Sequence, residues 1–361
     1  MINRGASDLH LTVGTPPMIR VDGTLKPLPN YPRLTPDDTK ELAYGVLTEV
    51  QRAELEKNLE LDLSFGIKGL SRFRANVYRQ RDCVAMALRR IPYEILSFEQ
   101  LGLPLVVEEL AERPNGLVLV TGATGSGKST TMAAMIDKIN REKSYHIITI
   151  EDPIEYLHTH KTSIVNQRQI HSDTLSFHRA LRSVLRQDPD VVLIGEMRDK
   201  ETIEIALTVA ETGHLVFGTL HTNSAAQTIN RIIDVFPPDQ QEQVRSQLAL
   251  VLQGIICQQL LPKIGGGRVL CCEVMIATPA IRAAIREGKV HQMDSMIQVG
   301  AKYGMQTMNQ SLLQAWQKKL ITRDEALSRS NDPVDLEMMM KRVISAASSE
   351  LTPVTEKEEE N

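Results

Sequence analysis

The run Gly122-Ala123-Thr124-Gly125-Ser126-Gly127-Lys128-Ser129 matches the phosphate-cradling pattern G-x-x-x-x-G-K-[ST] at every defined position. Leu117 to Val120 before it reads as a buried strand, and Thr130 to Arg141 after it carries Met132, Met135, Ile136 and Ile139 at helical spacing. Strand, glycine loop and helix in that order can build one kind of site. Glycines turn backbone N–H groups inward around phosphate oxygens, and the helix start adds a partial positive charge. Lys128 reaches outer phosphates and the Ser129 hydroxyl can ligate Mg2+, so the chain is expected to bind a nucleotide.

The rest of the composition narrows the class. With 361 residues and 42% hydrophobic content, the chain is long enough for two domains with real cores. Its 41 Lys plus Arg against 45 Asp plus Glu leave a net charge of −4, so no global basic field points to nucleic acid. No apolar run approaches the roughly 18 residues of a spanning helix, and Met1-Ile2-Asn3-Arg4-Gly5 lacks a signal-peptide core. A cytoplasmic protein is therefore expected. Cys83, Cys257, Cys271 and Cys272 show no C-x-x-C spacing and read as reduced thiols, while His158 and His160 read as residues of a solvated loop.

Residues 1–90 read as β-rich, with strands at Leu9–Val13, Met18–Val21, Leu61–Phe65, Phe73–Arg79 and Val84–Leu88 and a turn at Asp22-Gly23. One helix, opened by Thr35-Pro36-Asp37-Asp38, interrupts them. Residues 91–104, with Ile91-Pro92 and Leu101 to Pro104, read as a linker. Strands then alternate with helices over 105–278, at Leu117–Thr121, His146–Ile150, Val191–Ile194 and Leu215–Leu220, which predicts a parallel α/β sheet. Over 279–347 the pattern is helical: Ala280–Glu287, Val290–Gly300, Asn309–Lys319 and a helix opened by the capping box Thr322 to Glu325. Residues 348–361 form an acidic tail expected to be disordered.

Hydrolysis needs carboxylates to hold a metal shell and orient water. Two strands end in acids: the first runs into Glu151-Asp152-Pro153-Ile154-Glu155, the second into Gly195-Glu196-Met197-Arg198-Asp199. Ligand chemistry in open α/β sheets sits at such carboxyl ends. The usual ending of the second strand has an Asp where Gly195 stands, so either Glu196 serves the metal shell alone or the Glu151 group shares the task. A third strand is bracketed by His214 and His221, and His221, at its carboxyl end, is the stronger candidate. Arg72, Arg74, Arg79 and Arg81 fall within ten residues beside Phe73 and Tyr78. Such a stretch fits stacking on nucleic acid, an ordinary half-buried strand, or arginines that reach a transferring phosphate, which can contribute about 10³ to 10⁵ in rate.

Together these pieces resemble the type II/IV secretion ATPase superfamily over nearly the full chain. The resemblance rests on Ala6 to Leu11, Pro17 to Gly23, the arginine strand, the phosphate loop, Glu151 to Glu155, the atypical Leu193 to Asp199 ending, and the histidine box Gly213 to His221. Ala280-Ile281-Arg282-Ala283-Ala284-Ile285-Arg286-Glu287 is similar to the signature AIRNLIRE of the branch that retracts type IV pili, with Ala-Ala in place of Asn-Leu, and Gly304 to Met308 also follows that branch.

The resemblance implies a PAS-like α+β N-terminal domain, a RecA-like ATPase domain, and a homohexameric motor with nucleotide between subunits. Carried over, Gly122 to Lys128 with Ser129 and Thr130 bind ATP, and Ser129 with Glu196 hold Mg2+. Glu196 is then the strand-end acid and Glu151 the candidate for water activation. Arg72, Arg74 and Arg79 become candidate fingers, His221 a phosphate sensor supported by His214, and Ile281, Arg282, Ile285, Arg286 and Glu287 a surface for partners. Implied partners are the inner-membrane platform protein of the pilus machine and an accessory retraction paralogue, with no nucleic acid and with docking at the cytoplasmic face of the inner membrane. The chain begins close to Ala6-Ser7-Asp8, where relatives have a preceding helix, so a segment is expected to be missing there. The rivals are an accessory retraction ATPase sharing the main boxes, a pilus extension or type II secretion ATPase, which commonly carries a four-cysteine zinc module, and a RecA-like nucleic-acid translocase.

Overall fold

A computed structural model describes residues 1–21, 24–67, 70–91 and 94–349. The expected turn at Asp22-Gly23, the Pro92 step and residues 350–361 of the expected tail lie outside the described residues, while residues 348–349, expected in that tail, end a helix that runs to Ser349. The chain divides into two units, Met1–Glu94 with Glu155–Leu157, and Ile95–Ile154 with His158–Asn361.

In the first unit the order is β1 (Asp8–Leu11), β2 (Met18–Val21), β3 (Thr24–Pro27), α1 (Pro36–Tyr44), α2 (Glu49–Asn58), β4 (Glu60–Ile67), β5 (Ser71–Gln80) and β6 (Cys83–Ile91). Its described residues form a six-stranded sheet of order β3-β2-β1-β6-β5-β4, antiparallel throughout. Alternation along β5 buries Ser71, Phe73, Ala75 and Val77 and turns Arg72 and Arg74 to the other face. Phe73, Ala75 and Val77 pack with Leu55 of α2 and Ala43 of α1 in one apolar cluster. Two helices stand where one is expected. Glu49–Asn58 buries only Leu55, so it shows no periodic apolar face, but Thr48 and Gln51 form the same reciprocal cap that Thr35 and Asp38 build on α1.

The second unit opens with α3 (Phe98–Leu101) and α4 (Leu105–Ala111). Residues 95–104 are therefore not a bare linker: Ser97 and Gln100 cap α3, and Phe98 and Leu103 are buried in the main core. There follow β7 (Gly116–Thr121), α5 (Lys128–Glu142), β8 (His146–Glu151), β9 (Ile164–Gln169), α6 (Phe177–Val184), β10 (Val191–Ile194), α7 (Lys200–Glu211), β11 (Leu215–Leu220), α8 (Ala225–Asp234), α9 (Gln241–Val251), β12 (Leu252–Pro262) and β13 (Arg268–Ile276). The described residues form a mixed sheet of order β13-β12-β7-β11-β10-β8-β9, parallel except for β13. Every residue of β7, β10 and β11 is buried, as expected of strands covered by helices on both faces. β13 departs from the all-parallel expectation because the short Gly265-Gly266-Gly267 turn returns the chain directly as a hairpin.

The chain continues as α10 (Pro279–Arg286), α11 (Met293–Gln298), α12 (Met308–Gln317), α13 (Arg323–Arg329) and α14 (Pro333–Ser349). The helix expected over Val290–Gly300 is a 3-10 turn at Val290–Gln292 followed by α11. At α13 only half of the expected capping box forms. Thr322 accepts from the Glu325 N–H, while the Glu325 carboxylate pairs with Arg329 one turn on. Met308, Leu312, Ala326, Leu336 and Met340 bury a second, smaller cluster with Cys271 of β13.

Candidate active site

Parallel pairing brings four strand ends to one edge: Thr121 opposite Leu220, Ile194 opposite Gly218, and Ile194 opposite Ile150. The phosphate loop after β7, Glu151 at the end of β8, Gly195-Glu196 after β10 and His221 after β11 therefore emerge together.

The loop is shaped for an anion. Gly122 and Gly127 take φ of 137° and 93°, in the region L side chains avoid, and a Cβ on Gly122 would lie 2.4 Å from the Gln258 carbonyl oxygen. Gly127 caps α5 without a side-chain bond, which leaves the first amides of that helix to a ligand. Ala123, Thr124 and Gly125 are exposed, and the Ser126 Oγ is buried without a hydrogen-bond partner among the described residues. Lys128 Nζ donates to the Gly122 carbonyl at 2.7 Å and the Ala123 carbonyl at 3.1 Å. Ser129 and Thr130 follow in the first turn of α5, half-buried. A strand-to-helix glycine loop with uncapped amides and a lysine fits a nucleotide triphosphate and its Mg2+.

Around Glu196 the structure assembles a charged cluster. Arg198 holds both carboxylate oxygens, with its Nη2 2.6 Å from Oε2, and His221 Nε2 lies 2.9 Å from Oε1. Burial pushes the Glu196 carboxyl upward, but Arg198 and His221 outweigh it and hold the group below the usual carboxylate range. Glu151 is oriented by its own sheet: Thr149 Oγ1 donates to its Oε1 at 2.5 Å and Gln167 Nε2 at 3.2 Å. Gly195 stands where the usual ending has an Asp. A Cβ there would stand 3.1 Å from both the Glu151 Cα and the Ile150 carbonyl oxygen, closer than ordinary contact, so the bare position lets the two acid-bearing strand ends lie this close without a shift.

Other candidates fall elsewhere. His214 precedes β11, about 23 Å along the strand from His221 at roughly 3.3 Å per residue, and its Nδ1 lies 3.1 Å from the Val209 carbonyl at the end of α7. It holds a helix end, and the structure does not bring it to the strand-end cluster. Arg72 donates to Ser64 Oγ at 2.7 Å, Arg74 is exposed beside it, and Arg79, on the opposite face of β5, pairs with Glu56 of α2 at 2.5 Å. These arginines belong to the first unit and the phosphate loop to the second. In the retraction-like helix α10, Ile281 and Ile285 are fully buried core residues. Arg282 Nη1 donates to the Ala249 and Leu250 carbonyls at 2.6 Å each, and Nε donates to Ala277 at 2.9 Å. Of the five residues expected to form a partner surface, only Arg286 and Glu287 are exposed, so that expectation narrows to them. His158 is half-buried, not solvated, and desolvation lowers its imidazole to about 4.

Sequence reasoning assigned no role to Arg198, Thr149 or Gln167. Arg198 lies two residues from Glu196 and was legible as a neighbour, whereas Gln167 is on β9, whose pairing with β8 no local pattern announces.

Residues 86–328 match the family described as Type II/IV secretion system protein. The chain belongs to the type II/IV secretion system protein family. It is 53% identical over 330 residues to the type IV pilus retraction ATPase PilT of Pseudomonas aeruginosa, covering 91% of this chain and 96% of that protein. It is 42% identical over 357 residues to the type IV pilus ATPase PilU of the same organism, covering 99% of this chain and 93% of that one. A crystal structure of the pilus retraction motor PilT with bound ADP superposes with a TM-score of 0.89 at 59% identity, over 94% of this chain and 97% of that chain. The mixed α/β architecture is thus that of the secretion ATPase family. Among the described residues no helix is long and apolar enough to cross a membrane.

Proposed function

We propose that this chain is an ATP-hydrolysing motor that retracts type IV pili. The observation that carries the reading is the 53% identity to a retraction ATPase across 91% of the chain, joined to a strand edge holding the phosphate loop, two acids and a histidine. Gly122 to Gly127 wrap the phosphates with backbone amides, and Lys128 turns from the loop carbonyls to the outer phosphates. Ser129 and Glu196 would hold Mg2+, which would supply positive charge to the phosphates.

Glu151 orients the attacking water, its carboxylate aimed by Thr149 and Gln167. Glu196 and His221 form the sensing pair, because any shift of the outer phosphate reaches His221 through their shared contact. Arg72, Arg74 and Arg79 are candidate fingers, supplied from the first unit of the same or a neighbouring subunit of a homohexamer. The motor docks on the inner-membrane platform protein of the pilus machine at the cytoplasmic face, alone or beside a PilU-like paralogue, and needs no nucleic acid.

Particle images of the purified chain with ATP should show six-membered rings that release phosphate, and the gene should restore twitching to cells lacking their own retraction ATPase. Restored pilus assembly without retraction would overturn the reading. Rescue only when a second retraction ATPase is present would assign the chain to the accessory role, which the 42% identity to PilU over 99% of the chain favours as the second reading.

A further inference from the structure

Glu273 sits in β13 opposite Cys257 of β12 and is 4% exposed. A buried carboxylate is costly unless its oxygens are satisfied, and this one takes its bonds from two helices at once. Its Oε1 accepts the Ala225 N–H at 2.7 Å, and it also accepts the Met308 N–H. Ala225 is the first residue of α8 and Met308 the first residue of α12, so one carboxylate completes the N-termini of both.

The two helices lead in different directions. α8 is entered through His221-Thr222-Asn223-Ser224, whose first residue touches Glu196, while Thr222 Oγ1 lies 2.7 Å from Thr228 Oγ1 inside α8. α12 opens the smaller C-terminal core, which is separate from the core of the sheet. The Cys257 thiol lies between Glu273 and the Thr228 hydroxyl, continuing the polar contact back to the histidine turn.

We propose that Glu273 is a positioning residue of the ATPase site, which fixes the His221–Ser224 turn through α8 and ties its position to the C-terminal helices through α12. The inference rests on reading the strand edge as an ATP-hydrolysing site. Groups facing Glu273 are Asp294 of α11 and the thiols of Cys257 and Cys272; burial first, with Asp294 adding, raises the carboxyl to about 7. Below that pH the group carries a proton and offers one acceptor fewer to the two helix ends. Turnover of the wild-type chain therefore falls on an acid limb near neutrality.

The test compares the wild-type chain, Glu273→Gln and Glu273→Asp for kcat and KM with Mg-ATP between pH 6 and 8.5, and for melting temperature. Expected for Glu273→Gln is a kcat about tenfold lower at pH 8, which corresponds to one lost bond of a charged acceptor, with KM within twofold and no acid limb near 7. Glu273→Asp keeps the charge with shorter reach and should recover part of kcat and the limb. A Gln variant matching the wild type in kcat and in the limb would overturn the inference while leaving the site reading intact. Loss of kcat in proportion to loss of folded protein would also overturn it, by making the residue structural only. A wild-type chain that hydrolyses no ATP would instead remove the site reading, and this inference with it.

Discussion

The carboxyl edge of the second unit's sheet and the β12–β13 hairpin at its far side each hold a glutamate, and the two are in opposite electrostatic states. Glu196 emerges past a strand end, where Arg198 and His221 can reach it, and its carboxyl is held low. Glu273 lies within a strand between packed layers, with no cation against it among the described residues, and its carboxyl rises to about 7. The residue type is the same; the position along the strand decides whether it meets counter-charges or amides, thiols and another carboxylate. The edge is thus suited to charge chemistry and the hairpin to holding geometry.

The largest expected effect tests the edge. Glu196→Gln or Lys128→Ala should lower phosphate release by about 10² to 10³ or more, because each removes electrostatics aimed at developing charge, while circular dichroism stays unchanged. Near-normal release in either variant would remove that residue from the site.

Next in size is Arg282, whose guanidinium satisfies carbonyls at the end of α9. Arg282→Glu would set a carboxylate against those oxygens and should cost about 2–4 kcal/mol of stability, from lost charged hydrogen bonds and an unpaired half-buried charge. A denaturant titration checks it. An unchanged midpoint would return Arg282 to the role of a surface contact. Arg286→Glu, on an exposed side chain, should leave stability within about 0.5 kcal/mol and so isolates any effect on partners.

The two ends of β11 offer a smaller contrast. His221→Ala should reduce kcat about tenfold or more with the fold intact, since it breaks the contact to Glu196 at the edge. His214→Ala should leave kcat within twofold and cost about 1 kcal/mol through the freed end of α7. Equal kinetic losses in both would show that the strand transmits changes along its length.

Smallest is Arg198→Ala. Glu196 gains stability from its partners above the ordinary carboxylate pKa and loses it as pH falls through its depressed folded value. Removing Arg198 should move that loss to higher pH. Because the Arg198 side chain is 77% exposed, the cost at neutral pH should stay below about 1 kcal/mol. Thermal melts from pH 3 to 7 would show the displacement, and an unchanged acid limb would mean that His221 alone depresses the acid.

Much of the site was legible before any fold was known. The phosphate loop is contiguous, and its flanking strand and helix carry their own periodicities, so Gly122 to Ser129 announce both structure and chemistry. Glu151, Glu196 and His221 were readable as residues following apolar strand runs, because parallel strands place their carboxyl ends on one edge whatever their spatial order. Caps were equally local: Thr35 and Asp38 opened a helix as expected, while Thr48 and Gln51 opened one that a search for apolar periodicity passes over.

The tertiary structure alone decided which of two similar arginines is tied down: Arg282 finds the carbonyls of α9, while Arg286, one turn on, is exposed. Such contacts join residues tens of positions apart, as Arg282 with Ala249 or Glu273 with Ala225, and no periodicity within one segment encodes them. Sequence by itself determined the nucleotide loop and the alternation that builds its sheet, since both follow from local backbone preference and burial. Which acids are charged, which glycine lets Glu151 approach Glu196, and which carboxylate holds two helices at once were decided by packing, because desolvation and counter-charge act through space.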